Sequence, residues 1–218
     1  MAKSKHRKKN KAGAGGGGSK AAPSAVKAGP SIYPAAKRRR DLLIFGAAVA
    51  LIVGYLGFVF WQDRETAGEF DTLLAAAEGD LDGVQSYPNL GRRHLRPGEV
   101  HSYADIFPTS GPHEPTWVSP GLYDKTQRPT QLVHALEHGN IVIYYETPDP
   151  AVMSQLESWA SLFTGAWDGV VVTPKSGLGG KVVMTAWRKK LELPTFDAPK
   201  AAAFIDAFRG RGPENPVR

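Results

Sequence analysis

His134 and His138 stand four residues apart, with Glu137 between them. On an α-helix that spacing sets two imidazoles on one face, with about 5–6 Å between Cβ atoms, close enough to share a Zn²⁺ or Cu²⁺ ion. On a β-strand the same residues would lie roughly 13 Å apart, so joint chelation requires the helix. Five of the 6 histidines (His94, His101, His113, His134, His138) fall between residues 94 and 138, and cysteine is absent. Disulfides, thiol redox chemistry and thiolate ligation are thereby excluded, and any chemistry here rests on imidazole and carboxylate.

The expected centre joins His134 and His138 to His113, delivered by the Pro-Thr-Ser-Gly-Pro loop at residues 108–112, with His101 as a further donor. Glu137 serves either as a ligand or as the acceptor that orients an imidazole. Neutral imidazole suits Zn or Cu, and also Ni or Fe. The competing reading has the histidines as fasteners for backbone carbonyls in a layer dense in Tyr, Trp and Pro, where an unpaired buried group costs roughly 1–3 kcal/mol.

Other catalytic patterns fare worse. The letters H-A-L-E-H fit the H-x-x-E-H signature of inverted zinc peptidases, but Gly139 stops the helix after two turns, so a zinc hydrolase is a third reading only. Ser110 lies in T-S-G-P, a turn in which hydroxyls bond nearby backbone, and no G-x-S-x-G elbow is present. The run KSGLGG at residues 175–180 lacks the order of a P-loop and reads as a hairpin turn. Ser110, Trp117 and Tyr123, in the same loop region as His113, form an expected binding surface, since aromatics dominate recognition patches.

Elements must position these groups. Residues 130–138 carry Leu132, Val133 and Leu136 at near-helical spacing, between Pro129-Thr130 as a start and Gly139 as a stop. The same residues also alternate acceptably for a strand. Residues 141–145 (IVIYY) read as a strand, 150–163 as a helix, 169–173 and 181–187 as strands, and 198–208 as a helix burying Ala202 and Ile205. The first two strands with their helix suggest a right-handed parallel unit, and the glycine-rich turn suggests that the second and third strands pair as an antiparallel hairpin.

Residues 42–61 form twenty positions without a charge, directly after Lys37, Arg38, Arg39, Arg40 and Asp41. A hydrocarbon core of roughly 30 Å needs about 20 apolar helical residues, so the segment is long enough to span. A cleaved signal peptide has a shorter apolar region and a small-residue exit, whereas this run ends in Phe60-Trp61, and a twin-arginine signal is disfavoured by its high apolarity. Residues 1–40 carry twelve basic and no acidic side chains, whereas residues 62–218 carry fifteen basic and twenty acidic. The formal +6 therefore divides into +12 and −5 around the span, with Asp41 at its edge as the remaining −1, which argues against nucleic acid as the partner of the folded domain. Basic flanks stay on the cytoplasmic side, so the expected location is the plasma membrane, amino end inside and carboxyl domain extracytoplasmic.

The expected organisation is a disordered basic tail over residues 1–40, a span over 41–61, a stalk over 62–83, a globular domain over 84–212 and a short tail over 213–218. The fold class is α+β, a β-α-β-β-α domain carrying an irregular Pro/Tyr/His-rich amino-terminal layer.

Four segments together carry a resemblance. Phe107-Pro108-Thr109-Ser110-Gly111-Pro112-His113, Gly121-Leu122-Tyr123, Val133-His134-Ala135-Leu136-Glu137-His138-Gly139 before a strand, and Thr185-Ala186-Trp187 are similar to the pattern of the "domain of unknown function 3105" family, with Phe107 as a departure. The resemblance covers residues 91–213. It implies an architecture and a bacterial membrane setting but no reaction, cofactor or substrate. The expected function is a single-pass, membrane-anchored protein with a histidine-rich transition-metal site. The alternative is a metal-free envelope module that docks an envelope protein or small ligand through its loop layer.

Overall fold

The computed structural model describes residues 35–218, so the expected disordered tail lies, for residues 1–34, outside the described residues. The chain divides into two units, Met1–Ala50 and Leu51–Arg218. In the first, the described residues belong wholly to helix α1 (Ala35–Ala76). The side chains of Leu42, Leu43, Ile44, Phe45 and Val49 are exposed there, and Leu51, Ile52, Val53 and Phe58 are exposed in the second unit. A helix apolar on all sides suits a lipid environment, and Lys37–Ala76, with a mean hydropathy of 2.5 over its most apolar stretch, is long and apolar enough to cross a membrane.

The second unit is a mixed α+β domain. Its elements are β1 (Gln85–Ser86), β2 (Gly121–Leu122), α2 (Pro129–His138), β3 (Ile141–Tyr145), α3 (Pro150–Leu162), β4 (Val170–Pro174), β5 (Val182–Ala186), β6 (Lys189–Leu193) and α4 (Ala198–Phe208). The sheet runs β1-β6-β5-β3-β4-β2. Strand β3 is central, parallel to β4 with Ile143 opposite Val172, and antiparallel to β5 with Ile143 opposite Met184.

The alternation of side chains along β3 makes two cores. Ile141 and Ile143 face one side, where they join Val170, Val172, Met184, Leu156 and Trp159 of α3, and Phe204 and Ile205 of α4. Phe70, near the end of α1, is in the same cluster, edge-on to Trp159 and Phe163 at ring-centroid distances of 6.1 and 4.9 Å. Leu73 and Leu74 pack beside it. Val142 and Tyr144 face the other side, against Leu132 and Leu136 of α2 and against Phe107 and Val118 of the loop layer. Because both faces are covered, β3 reads as an unbroken apolar run.

The strand-helix-strand unit and the final helix appear where expected. Two details differ. The order is not β-α-β-β-α, because β6 follows β5 across a tight turn at Arg188, whose φ is 61°, and β1 and β2 extend the edges. Nor do β4 and β5 form a hairpin: they lie on opposite sides of β3. The glycine turn crosses the end of β3, where the Glu146 carboxylate accepts from the backbone N–H groups of Gly177 (3.1 Å) and Gly179 (2.6 Å), and the Thr147 N–H donates to the Gly179 carbonyl. These bonds draw the loop past β3 instead of doubling it back on β4. β5 then pairs with β6.

Candidate metal centre

Helix α2 starts with Pro129 at its first position and ends at Gly139, whose φ of 106° lies in the left-handed region that glycine tolerates. Leu132 and Leu136 turn into the second core, which leaves His134, Glu137 and His138 on the face toward the loop layer, all buried. The His134 and His138 rings stand 4.8 Å apart.

The loop layer adds a third imidazole. His113 pairs with His94 through a parallel bridge: the Leu95 N–H donates to the His113 carbonyl (2.7 Å) and the His113 N–H to the Arg93 carbonyl (3.0 Å). The His113 side chain is fully buried, and its ring lies 4.9 Å from that of His134 and 5.1 Å from that of His94.

In three rings Nδ1 is committed to a backbone carbonyl: His113 to Gly111 (2.8 Å), His134 to Glu114 (2.7 Å) and His138 to Ala166 (3.3 Å). A carbonyl only accepts, so each Nδ1 carries the proton, and in the neutral ring Nε2 presents a lone pair. This is the arrangement by which outer partners fix the tautomer of metal-ligating histidines. Glu114 is itself anchored to the start of α2, where Thr130 Oγ1 (2.5 Å) and Arg128 (2.6 Å) bond its carboxylate.

The freed nitrogens converge. Nε2 of His113 lies 2.9 Å from Oε2 of Glu137 yet has no hydrogen-bond donor or acceptor of its own, because in the tautomer set by Gly111 both atoms are acceptors. Burial holds the His113 imidazole below its ordinary value, with the Gly111 bond working in the opposite sense. Burial likewise brings His134 down to about 4. Glu137 is pushed up, first by burial and then by the charge of Glu214, while Arg92 opposes. Two facing lone pairs in a buried place need a proton or a metal cation between them.

Among the described residues, donor atoms fall into two groups, each with its atoms within 4.8 Å of one another: His94, His113, His134 and Glu137, and then His134, His138 and Glu214. Tetrahedral coordination at about 2.0–2.1 Å brings donors to about 3.3 Å, so small inward movements would complete either group. Glu214 is carried by residues after α4. The Gly210 N–H donates to the Gly139 carbonyl (2.8 Å) and the Glu214 N–H to that of Glu137 (3.3 Å), and a Cβ at Gly212 would collide with the Glu137 carbonyl. Glu214 Oε2 thereby comes to 3.2 Å from His138 Nε2 and 3.8 Å from His134 Nε2.

Of the expected donors, His113, His134, His138 and Glu137 are brought together. His101 stands apart, its ring edge-on to Tyr103 at 4.7 Å, and belongs to neither group. His94 and Glu214 were not anticipated. Nothing periodic marks His94, but the pair Gly210 and Gly212 ahead of Glu214 signals a backbone pressed closely against another.

Of the expected surface, Trp117 is exposed, with its ring 4.6 Å from that of His138. Tyr123 is half-buried, and its hydroxyl donates to the Ser119 carbonyl. Ser110 corrects the expectation: it is 1 % exposed, accepting from the Leu90 N–H and donating to the Pro88 carbonyl, so it ties the loop layer together and offers no surface. Trp167 stacks on His138 at 4.1 Å.

A family model described as "Protein of unknown function (DUF3105)" matches residues 94–218, which include every donor of both groups. No curated protein and no solved structure matches the chain.

Proposed function

The chain belongs to the DUF3105 family, and we propose that it is a single-pass membrane protein whose extracytoplasmic domain binds a divalent transition metal, Zn or Cu, through His94, His113, His134, His138, Glu137 and Glu214. The observation that carries this reading is the contact between His113 Nε2 and Glu137 Oε2, two acceptors 2.9 Å apart with no proton assigned between them by the bond to Gly111. A fastener needs only its Nδ1 bond to a carbonyl. It does not need the opposite nitrogens of three rings to face carboxylates.

Anchoring rests on the apolar helix, and the orientation on the basic residues that precede it. The segment expected as a stalk over residues 62–83 is part of the same proposal as a connection that runs into the domain, supported by Phe70 in the core, and the domain expected over 84–212 is extended to include Glu214.

Elemental analysis of the full-length protein purified in detergent without added metal, followed by isothermal titration with Zn²⁺ and Cu²⁺, tests the reading. Bound metal, or uptake that His134→Ala removes while circular dichroism shows the fold kept, supports it. No metal in the purified protein and no uptake sinks it. Orientation is tested by labelling single cysteines placed at Ser31 and Ser158 in intact cells, with Ser158 alone reacting with an impermeant reagent.

A second reading has one observation in its favour. A cleft of about 400 Å³ beside the loop layer is lined by residues that include His101, Tyr103, Asp105, Ile106 and Val100, and the side chains of Ile106 and Val100 are 64 % and 89 % exposed. Such a surface suits docking of an envelope protein without metal. Crosslinking from a photoreactive group at Val100, unchanged by a chelator, would favour it.

A further inference from the structure

His134 belongs to both donor groups, and it is the only residue they share. Its Nδ1 is committed to the Glu114 carbonyl at 2.7 Å, which leaves Nε2 as its single donor atom. An imidazole nitrogen has one lone pair and binds one ion at a time. The two groups therefore cannot both be fully ligated at once.

Each group also has one donor in contact with solvent. In the first it is His94, alongside the buried His113, His134 and Glu137, and in the second it is Glu214, 39 % exposed, alongside the buried His134 and His138. The rings form a continuous row, with centroids 5.0 Å apart from His94 to His134 and 4.8 Å from His134 to His138. A structural zinc site is closed by four protein ligands, whereas a site with three keeps a position open. The first group has four donors and the second three.

Resting on the metal-binding reading above, we infer that the centre holds one divalent transition-metal ion in two alternative seats, which the ion exchanges through His134. The four-donor seat is the resting position. The three-donor seat is the transfer position, where the open coordination site and the exposed Glu214 carboxylate let the ion enter or leave. The step is a ligand exchange: the bonds to His94, His113 and Glu137 break, those to His138 and Glu214 form, the bond to His134 persists, and no electron moves. This makes the domain a metal-handling device with an entrance distinct from its holding site.

Full-length protein in detergent, titrated with Co²⁺ as a probe visible through its d–d bands, tests the inference. The wild type should take up one equivalent. His94→Ala and Glu214→Gln alter exposed side chains, so the fold survives, as circular dichroism will verify. The first should weaken Co²⁺ binding about tenfold and shift the bands toward a three-donor spectrum. The second should weaken binding less than His94→Ala does and slow release to excess chelator about tenfold. His134→Gln, with its fold checked in the same way, should remove both seats. Two equivalents in the wild type, or equal losses of affinity in His94→Ala and Glu214→Gln with no change in release, overturn the two-seat inference while metal binding stands. Absence of Co²⁺ uptake overturns both.

Discussion

Nε2 of His113 faces Oε2 of Glu137 at 2.9 Å, while the other ring nitrogen donates to Gly111 at 2.8 Å. The pair is an unsettled contact that any positive centre, proton or metal, would resolve. Glu137→Gln separates the two. The amide N–H₂ can donate to His113, so metal-free protein should melt at the wild-type temperature or above, while Zn²⁺ affinity should fall by about tenfold or more. Thermal melts with and without Zn²⁺ read both effects, and a variant that melts lower while binding Zn²⁺ as well as the wild type would remove the argument.

Chelator-treated protein should lose stability in mildly acid solution. The imidazole of His134, held by burial at about 4, has a folded pKa below its unfolded value of roughly 6.5, so the fold favours the neutral ring. Its contribution is complete above about 6.5 and is lost as the pH falls toward 4. His113 acts in the same sense, whereas Glu137, raised by burial, favours its neutral form and contributes less as the pH rises through its folded value. Urea unfolding at pH 7.5, 5.5 and 4.5 should show midpoints falling in that order, and equal midpoints would contradict the burial argument.

Gly139 and Gly212 press backbone on backbone. A Cβ at Gly139 would come 2.8 Å from both the Gly212 nitrogen and the Trp167 carbonyl, and the residue has φ 106°. Gly139→Ala should cost roughly 1–3 kcal/mol in urea unfolding and displace Glu214, so that Co²⁺ release slows as it does in Glu214→Gln. A fully stable variant with normal release would show that residues 210–214 are not held as described.

Phe70 joins α1 to the α3/α4 core. Phe70→Ala removes its edge contacts with Trp159 and Phe163 and should cost about 3 kcal/mol. Hydrogen exchange should accelerate between residues 70 and 77 and remain slow in β3. Unchanged exchange there would mean that the contact contributes little.

Much of this arrangement could be read directly from the amino-acid order. The i, i+4 histidines between Pro129 and Gly139 announced a helix and a shared face, and the rigid loop before His113 announced a third imidazole. His101 was drawn in by clustering alone, yet proximity along a chain without periodic structure says little about where a side chain arrives. His94 reaches the centre through a long-range bridge to His113 that leaves no local pattern, and Glu214 through bonds to the carbonyls of Gly139 and Glu137, of which Gly210 and Gly212 mark only a close backbone approach and not its partner. The misassigned hairpin has the same cause. Glycines at residues 177–180 signal a turn, but which strand the chain meets next depended on the grip of Glu146 on that turn.

Because the donors come from the loop layer, from α2 and from the stretch after α4, no short segment of the chain contains either set. A denatured ensemble would have nothing comparable to offer, so an ion at a hundred times its dissociation constant would favour the native form by about 2.7 kcal/mol. Occupancy would then serve as a readout of maturation: a molecule in which α4 has docked but residues 210–214 have not would differ from the finished one mainly in what it can hold.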